Sequence, residues 1–271
     1  WSAATGPAYW DGMLEYDQAD IDFLSDLYDG EIAYVDGEIR RLWEYLSEAG
    51  LLKSTAVIFL ADHGEEFMDH GKYQHDQVYE ELLHVPLIVR LPPALERAGY
   101  RGRVGQVVEL IDVAPTVSEL FGLREVPTQW TGRSLVQLLE NAGDEGLKNS
   151  REFDRPSFSE LVIDPGPKYH RTVNWGGWKY IHVWQKDIDH TWEYLFHLEE
   201  DPQERRNVVT SDVPETTRAL SALRQLLEEQ SIANAEAGAA AGPGGAQEID
   251  GDMLELMLKL GYIGAPAQGN R

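Results

Sequence analysis

The side chains of this sequence best suited to chemistry cluster in one stretch, Asp62-His63-Gly64-Glu65-Glu66, with His70, Lys72 and His75 close behind. A carboxylate and an imidazole in adjacent positions can both reach one cation if the chain turns there, and Gly64 permits that turn. Carboxylate oxygen suits a hard divalent ion, and an imidazole leaves transition ions open as well. The same pair also reads as a solvated loop or as a simple salt bridge. Glu65 and Glu66 have the chemistry of general bases, yet as surface carboxylates they read as solvated groups. Glu80 and Glu81 read as parts of a helix.

The element that presents the Asp-His pair is a short apolar run. Thr55 to Ala61 is continuously apolar and partly β-branched, the pattern of a strand covered on both faces by helices. In a layered α/β fold, ligands gather beyond the carboxyl ends of the strands, where loops diverge, and Asp62 and His63 stand at such an end. Upstream, between Asp17 and Ala49, Ile21, Leu24, Tyr28, Ile32, Val35, Ile39, Leu42 and Leu46 recur at steps of three and four. That spacing predicts one long amphipathic helix, with acidic residues at the positive end of its dipole and Gly50 closing it. A short helical segment around Val78 to Leu83 precedes a second apolar strand, Val85 to Leu91, which stops at Pro92 and Pro93. Helix alternating with apolar strand argues for an α/β layered domain.

Further on, VVELIDVAPTVSELFGL predicts a helix with Asp112 as N-cap, Pro115 in the first turn and Gly122 after the last. Trp130 to Gly132 reads as a loop, and the charged, Gly- and Asn-containing stretch Asn141 to Pro156 marks a subdomain boundary. Beyond it the pattern changes to strands, Ser157 to Val162, Thr172 to Val173, Trp178 to Trp184 and Trp192 to His197, with Trp175-Gly176-Gly177-Trp178 as a hairpin turn. The Trp residues of that hairpin read as the core of a small antiparallel sheet, with a sugar-stacking platform as the alternative. Pro214 to Gln230 predicts another helix, Ala233 to Ala246 a flexible linker, and Met253 to Leu260 a last amphipathic segment that docks back.

Charge bounds the partners. A formal net charge of -24 works against nucleic acid and anionic membrane surfaces. An anionic ester would likewise need a metal and local cations to reverse the field at its site. With 0 Cys, disulfides, thiolate metal sites and a cysteine nucleophile are excluded within these residues. No apolar run is long enough to span a bilayer. Beginning at Trp1, with no initiator Met and no leader pattern, the chain reads as a fragment.

The passage DHGEEFMDHG, continued by KYQHDQVYEELLHVPLIVRLP, resembles the sulfatase family of the alkaline phosphatase superfamily. The likeness extends through YDGEIAYVDGEIRRLWEYLSEAGLLKSTAVIFLADHG, ELIDVAPTVSELFGL, WTGRSL and EYLFHLEEDPQERRNV to the terminal LGYIG, so it covers nearly the whole chain. DHGEEF and the YEELLHVPLIVR block are its most specific parts. The resemblance implies a partial α/β/α alkaline-phosphatase-like layered domain in residues 1–145, the C-terminal part of the catalytic domain. A smaller subdomain with antiparallel sheet and helix follows at 146–231, then an Ala/Gly-rich linker at 232–247 and a docking helix and tail at 248–271.

The resemblance further implies a metal-dependent sulfuric ester hydrolase of bacterial type. Asp62 and His63 become ligands of one divalent ion, calcium in the family pattern, with manganese or magnesium as alternatives. His75 falls where the family keeps a Lys or His on the ester oxygen or leaving group, and it would neutralise or protonate the departing oxygen. His70 and Lys72 are expected to line the substrate pocket as cations. Lys179 falls in a KYI strand whose family position points to packing against the main domain.

The family's nucleophile is a formylglycine made from Cys or Ser in a C-x-P-x-R or S-x-P-x-R motif, accompanied by an early pair of Asp ligands. Neither is present here. Both are therefore expected outside this chain, which by itself should be inactive. The expected partner is a small-molecule or glycan sulfate ester, and export to the periplasm or beyond is the expected location. A phosphodiesterase or phosphonate monoester hydrolase of the same superfamily is the alternative, as is a noncatalytic binding module.

Overall fold

The computed structural model describes residues 16–95, 102–123, 130–140, 154–163 and 168–241. Helix α1, Gln18–Glu48, forms where the three-and-four spacing predicts it. Asp17 caps it in a reciprocal box with Asp20, each side chain accepting the other residue's backbone N–H. Gly50, at φ +70°, turns the chain after it. No residue of α1 is buried, and Tyr28, Ile32, Val35, Ile39 and Leu42 on its apolar stripe are exposed.

Strand β1, Val57–Leu60, pairs antiparallel with β4, Leu87–Arg90, in the register Val57↔Arg90 to Leu60↔Leu87. Here the structure corrects the expectation of a strand covered on both faces. Phe59, Leu60 and Ile88 are exposed. The Arg90 guanidinium donates to the carbonyls of Leu52 and Thr55 at 2.6 and 3.1 Å and ties β4 to the turn that starts β1.

Between these strands lie a two-residue hairpin, β2 (Glu66–Phe67) with β3 (Tyr73–Gln74), and the one-turn helix α2, Glu80–Leu83. Helix α3, Val113–Leu120, has Pro115 in its first turn and Gly122, at φ +65°, past its end. Asp112 stands at its N-cap position as expected, but its side chain makes no capping hydrogen bond to this helix. A short 3₁₀ turn, Leu110–Asp112, precedes α3, and the reciprocal capping falls to Glu109 and Asp112. The Asp112 carboxylate is buried and saturated instead, accepting from the backbone N–H groups of Arg133 and Glu109 and from the Arg155 guanidinium. Helix α4 is Val136–Glu140.

The C-terminal sheet is a meander of β5 (Ser157–Ile163), β6 (Lys168–Trp175), β7 (Trp178–Gln185) and β8 (His190–His197), in the order β5-β6-β7-β8. Gly176 and Gly177 both have positive φ, as the tight β6–β7 turn requires. Strand alternation sends side chains to two cores. Val173, Tyr180 and Leu195 pack with Leu223 and Leu227 of helix α5, Pro214–Ala241. Ile181, Val183 and Phe196 pack on Val78, with Tyr79 and Leu83 of the α2 segment.

The chain divides into two compact units at Glu229 and Gln230. The expected linker at Ala233 to Ala246 is helical as far as Ala241, because alanine is the strongest helix former and the run holds only Gly238 against it there. Residues 242–271, with the segment Met253 to Leu260, lie outside the described residues, as do residues 141–153 of the boundary stretch Asn141 to Pro156. Among the described residues no helix is long and apolar enough to cross a membrane.

Candidate functional site

Asp62 and His63 stand two and three residues beyond β1, at its carboxyl end. The Asp62 carboxylate accepts the His63 backbone N–H through Oδ1 at 3.0 Å, which leaves Oδ2 free. His63 Nδ1 lies 2.8 Å from the Gly64 carbonyl oxygen. A carbonyl only accepts, so Nδ1 carries the proton and Nε2 presents its lone pair. Asp62 Oδ2 and His63 Nε2 are 3.9 Å apart, on side chains 79% and 45% exposed. Two donors each about 2.0–2.5 Å from one cation can stand up to roughly 4–5 Å from one another, so an oxygen and a nitrogen at this spacing fit a single divalent ion.

His75 joins them. Its ring lies over that of His63, with centroids 4.2 Å apart and planes inclined by 32°. The β2–β3 hairpin brings it there: Met68 (φ +68°) and Gly71 (φ +74°) turn the chain, and Gln74, also left-handed at φ +81°, aims the next residue. Left-handed backbone at two non-glycine residues is uncommon and has to be held by its surroundings. His75 Nδ1 sits 3.5 Å from Glu65 Oε2, and this contact raises the imidazole above its usual range, with burial opposing. Glu65 is thus a site residue whose part the sequence did not reveal, since its partner is ten positions away across a hairpin.

The turn itself is anchored from below by backbone. Gly64 N–H donates to the Leu82 carbonyl at 2.9 Å. A Cβ at this glycine would lie 1.8 Å from the Glu81 carbonyl oxygen, so α2 and the Asp-His turn are in direct backbone contact.

Two expectations change here, those for His70 and Glu66. His70 does not face an open pocket. Its ring stacks on Tyr79 at 3.6 Å, its Nε2 is 3.0 Å from Glu81 Oε1, and burial lowers its pKa, which favours the neutral form. Lys72 is exposed in the hairpin turn. His70, Glu81 and Glu204 lie close enough to hold an ion, but Lys179 Nζ is already 2.9 Å from Glu204.

Glu66, read as a solvated carboxylate, is fully buried; Gln77 donates to its Oε1 at 2.9 Å, and Oε2 has no hydrogen-bond partner. Burial, with Glu81 adding repulsion, pushes its carboxyl up to about 8. The sign follows from proton binding. The unfolded carboxyl ionises near 4.5 and the folded one near 8, so the stabilisation is complete below the first value and is lost as pH rises to the second. Wild-type stability should therefore fall across that window, by at most about 1.4 kcal/mol per pH unit from this group. Glu66→Gln keeps an oxygen for Gln77 and has no proton to lose. Urea midpoints at pH 5 and pH 8 should converge in the variant relative to wild type, and an unchanged difference would show that Glu66 is ionised in the fold.

With this geometry in view, the likeness to known proteins is specific. The sulfatase family model matches residues 15–123. N-acetylglucosamine-6-O-sulfatase of Bacteroides thetaiotaomicron is 31% identical over 202 residues, covering 74% of this chain and 34% of that protein. Arylsulfatase K of Homo sapiens is 29% identical over 212 residues, covering 76% and 37%. The chain spans little more than a third of the length of these curated relatives. The solved structure of BT4656 in complex with its substrate D-glucosamine-2-N,6-O-disulfate superposes with a TM-score of 0.59 at 29% identity, over 73% of this chain and 38% of that one. Phosphonate monoester hydrolase of Agrobacterium radiobacter superposes with a TM-score of 0.65 at 25% identity, over 80% and 43%.

Proposed function

Because this chain belongs to the sulfatase family and shares the alkaline-phosphatase-like fold of its structural neighbours, we propose that it supplies the Asp62–His63 metal ligands and the His75 acid of a sulfuric ester hydrolase. One observation carries the reading: Asp62, His63 and His75 meet at the carboxyl end of β1, with free ligand atoms 3.9 Å apart.

In this reading Asp62 Oδ2 and His63 Nε2 hold a divalent ion, calcium in preference to manganese or magnesium. When bound, the ion offsets the negative charge of the ester oxygens in a protein whose net charge is -24. His75 holds a proton at the departing oxygen, and Glu65 keeps its ring oriented. Lys72 adds a cation at the exposed turn. The substrate is a sulfate ester of a small molecule or glycan, and the likeness to an N-acetylglucosamine-6-O-sulfatase favours a sulfated amino sugar. With 0 Cys and no Ser in an S-x-P-x-R pattern here, the formylglycine nucleophile belongs to another segment of the polypeptide.

A phosphonate monoester hydrolase is the second reading, favoured by the superposition at TM-score 0.65. Parallel kinetics of the full-length polypeptide on matched aryl sulfates and aryl phosphonate monoesters separate them, with the higher kcat/KM expected for sulfate. His75→Ala should cost roughly 100-fold or more with a poor alcohol leaving group, and far less with 4-nitrophenol, which departs without a proton. A preference for phosphonate would favour the second reading. Saturable binding of sulfated sugars without turnover would point to a noncatalytic module.

A further inference from the structure

We infer that Glu204 and Lys179, both in the C-terminal region, are positioning residues for the Asp62–His63 turn, so that the small sheet and the loop after it set the geometry of the metal pair. The inference rests on the reading of Asp62 and His63 as ligands. It starts from helix α2, whose four residues are too few to hold a helix by themselves, so that tertiary contacts decide where it lies.

Those contacts are polar and buried. Glu204 Oε2 accepts the Glu80 backbone N–H at 2.6 Å, across 124 residues of sequence. Lys179 Nζ bridges the Glu80 and Glu204 carboxylates at 2.9 Å each, with the Lys179 and Glu204 side chains 1% and 0% exposed. Glu204 also has a left-handed backbone, φ +50°, at the loop after β8, where its N–H donates to the Asp201 carbonyl at 3.0 Å. A non-glycine residue keeps that conformation only when its surroundings enforce it. A buried ion pair adds little net stability over an apolar replacement. What this one does is fix the start of α2 against β7.

The other end of α2 holds the site. The Leu82 carbonyl accepts the Gly64 N–H at 2.9 Å, and Gly64 is packed so tightly that the Glu81 carbonyl occupies the space of a side chain. Displacement of the helix start therefore reaches the residue next to His63 through backbone alone. Tyr79 braces the same segment, with its ring centroid 3.6 Å from that of His70 and 6.0 Å from that of Phe196.

The test uses the full-length polypeptide and two conservative variants. Glu204→Gln keeps the reach of the acceptor to the Glu80 N–H, whereas Glu204→Asp keeps the charge and withdraws it by one methylene. Hydrogen–deuterium exchange is followed in peptides spanning Gly64 and referenced to peptides of β7 and β8, and affinity for Mn²⁺ alone is titrated. In Glu204→Asp, exchange at Gly64 should quicken about tenfold beyond any change in β7 and β8, and Mn²⁺ should bind about tenfold more weakly. Glu204→Gln should stay within about threefold of the parent in both. Lys179→Gln, which removes the bridge and leaves Glu204 in place, is a third variant and should move both readouts as Glu204→Asp does. Exchange at Gly64 that is unchanged, or that only tracks β7 and β8, overturns the positioning role. Asp62→Asn is the control for the premise: Mn²⁺ affinity undiminished in it overturns the ligand reading itself, and with it the inference.

Discussion

Replacing Asp62 by Asn in the full-length polypeptide should lower kcat/KM for sulfate esters about a thousandfold, which corresponds to ~4 kcal/mol of transition-state stabilisation. The fold should be spared. Asp62 is 79% exposed, and Asn retains the oxygen that accepts the His63 N–H, so the turn keeps its shape while the metal loses an anionic ligand. His63→Ala should be at least as damaging, since it removes Nε2 and the ring on which His75 rests. Metal titrations of activity check the origin of the loss. Weakened binding in Asp62→Asn should be partly overcome by excess metal, and wild-type turnover in either variant would remove both residues from the ligand set.

Gly64→Ala should be the most disruptive single-methyl change at the site. Its Cβ would lie 1.8 Å from the Glu81 carbonyl oxygen, 2.9 Å from the Glu81 carbonyl carbon and 3.2 Å from the Leu82 Cα. All three are backbone atoms, so no rotamer change relieves the overlap. Either the Asp-His turn or α2 must move, at a cost of about 3 kcal/mol or more. The N–H bond from Gly64 to Leu82 opens with it. Thermal melting together with Mn²⁺ titration should show both stability and affinity falling. Gly37→Ala, in α1 with nothing within 4 Å of its added Cβ, is the control and should be neutral or stabilising by up to about 1 kcal/mol. Equal behaviour of the two variants would mean that the turn yields more freely than its contacts suggest.

Where physics is local, the sequence was legible. Helix α1 follows from its spacing, Asp17 and Gly50 mark its ends, and the Gly-Gly turn sets the β6–β7 hairpin. The Asp-His pair at the end of an apolar strand was visible for the same reason, since strand and turn are short-range patterns. The alanine-rich stretch after Gln230 shows the limit of composition. Low complexity suggested a linker, while helix propensity, equally local, carries the helix to Ala241.

What only the tertiary structure decided are the environments. Nothing in DHGEEF distinguishes Glu65, partly buried with one oxygen turned to His75, from Glu66, fully buried with a raised pKa; the β2–β3 register does that. His70 carries the same imidazole as His75 but is stacked and paired away from solvent. The hold of Glu204 and Lys179 on α2 spans 124 and 99 residues respectively, and no pattern within a turn or a strand encodes it. The sequence by itself determined which residues could bind a cation and which backbone would present them, because helix, strand and turn depend on near neighbours. Which carboxylate is charged, which histidine is available and what holds the turn in place depend on desolvation and on contacts between distant segments, and these exist only once the chain has folded.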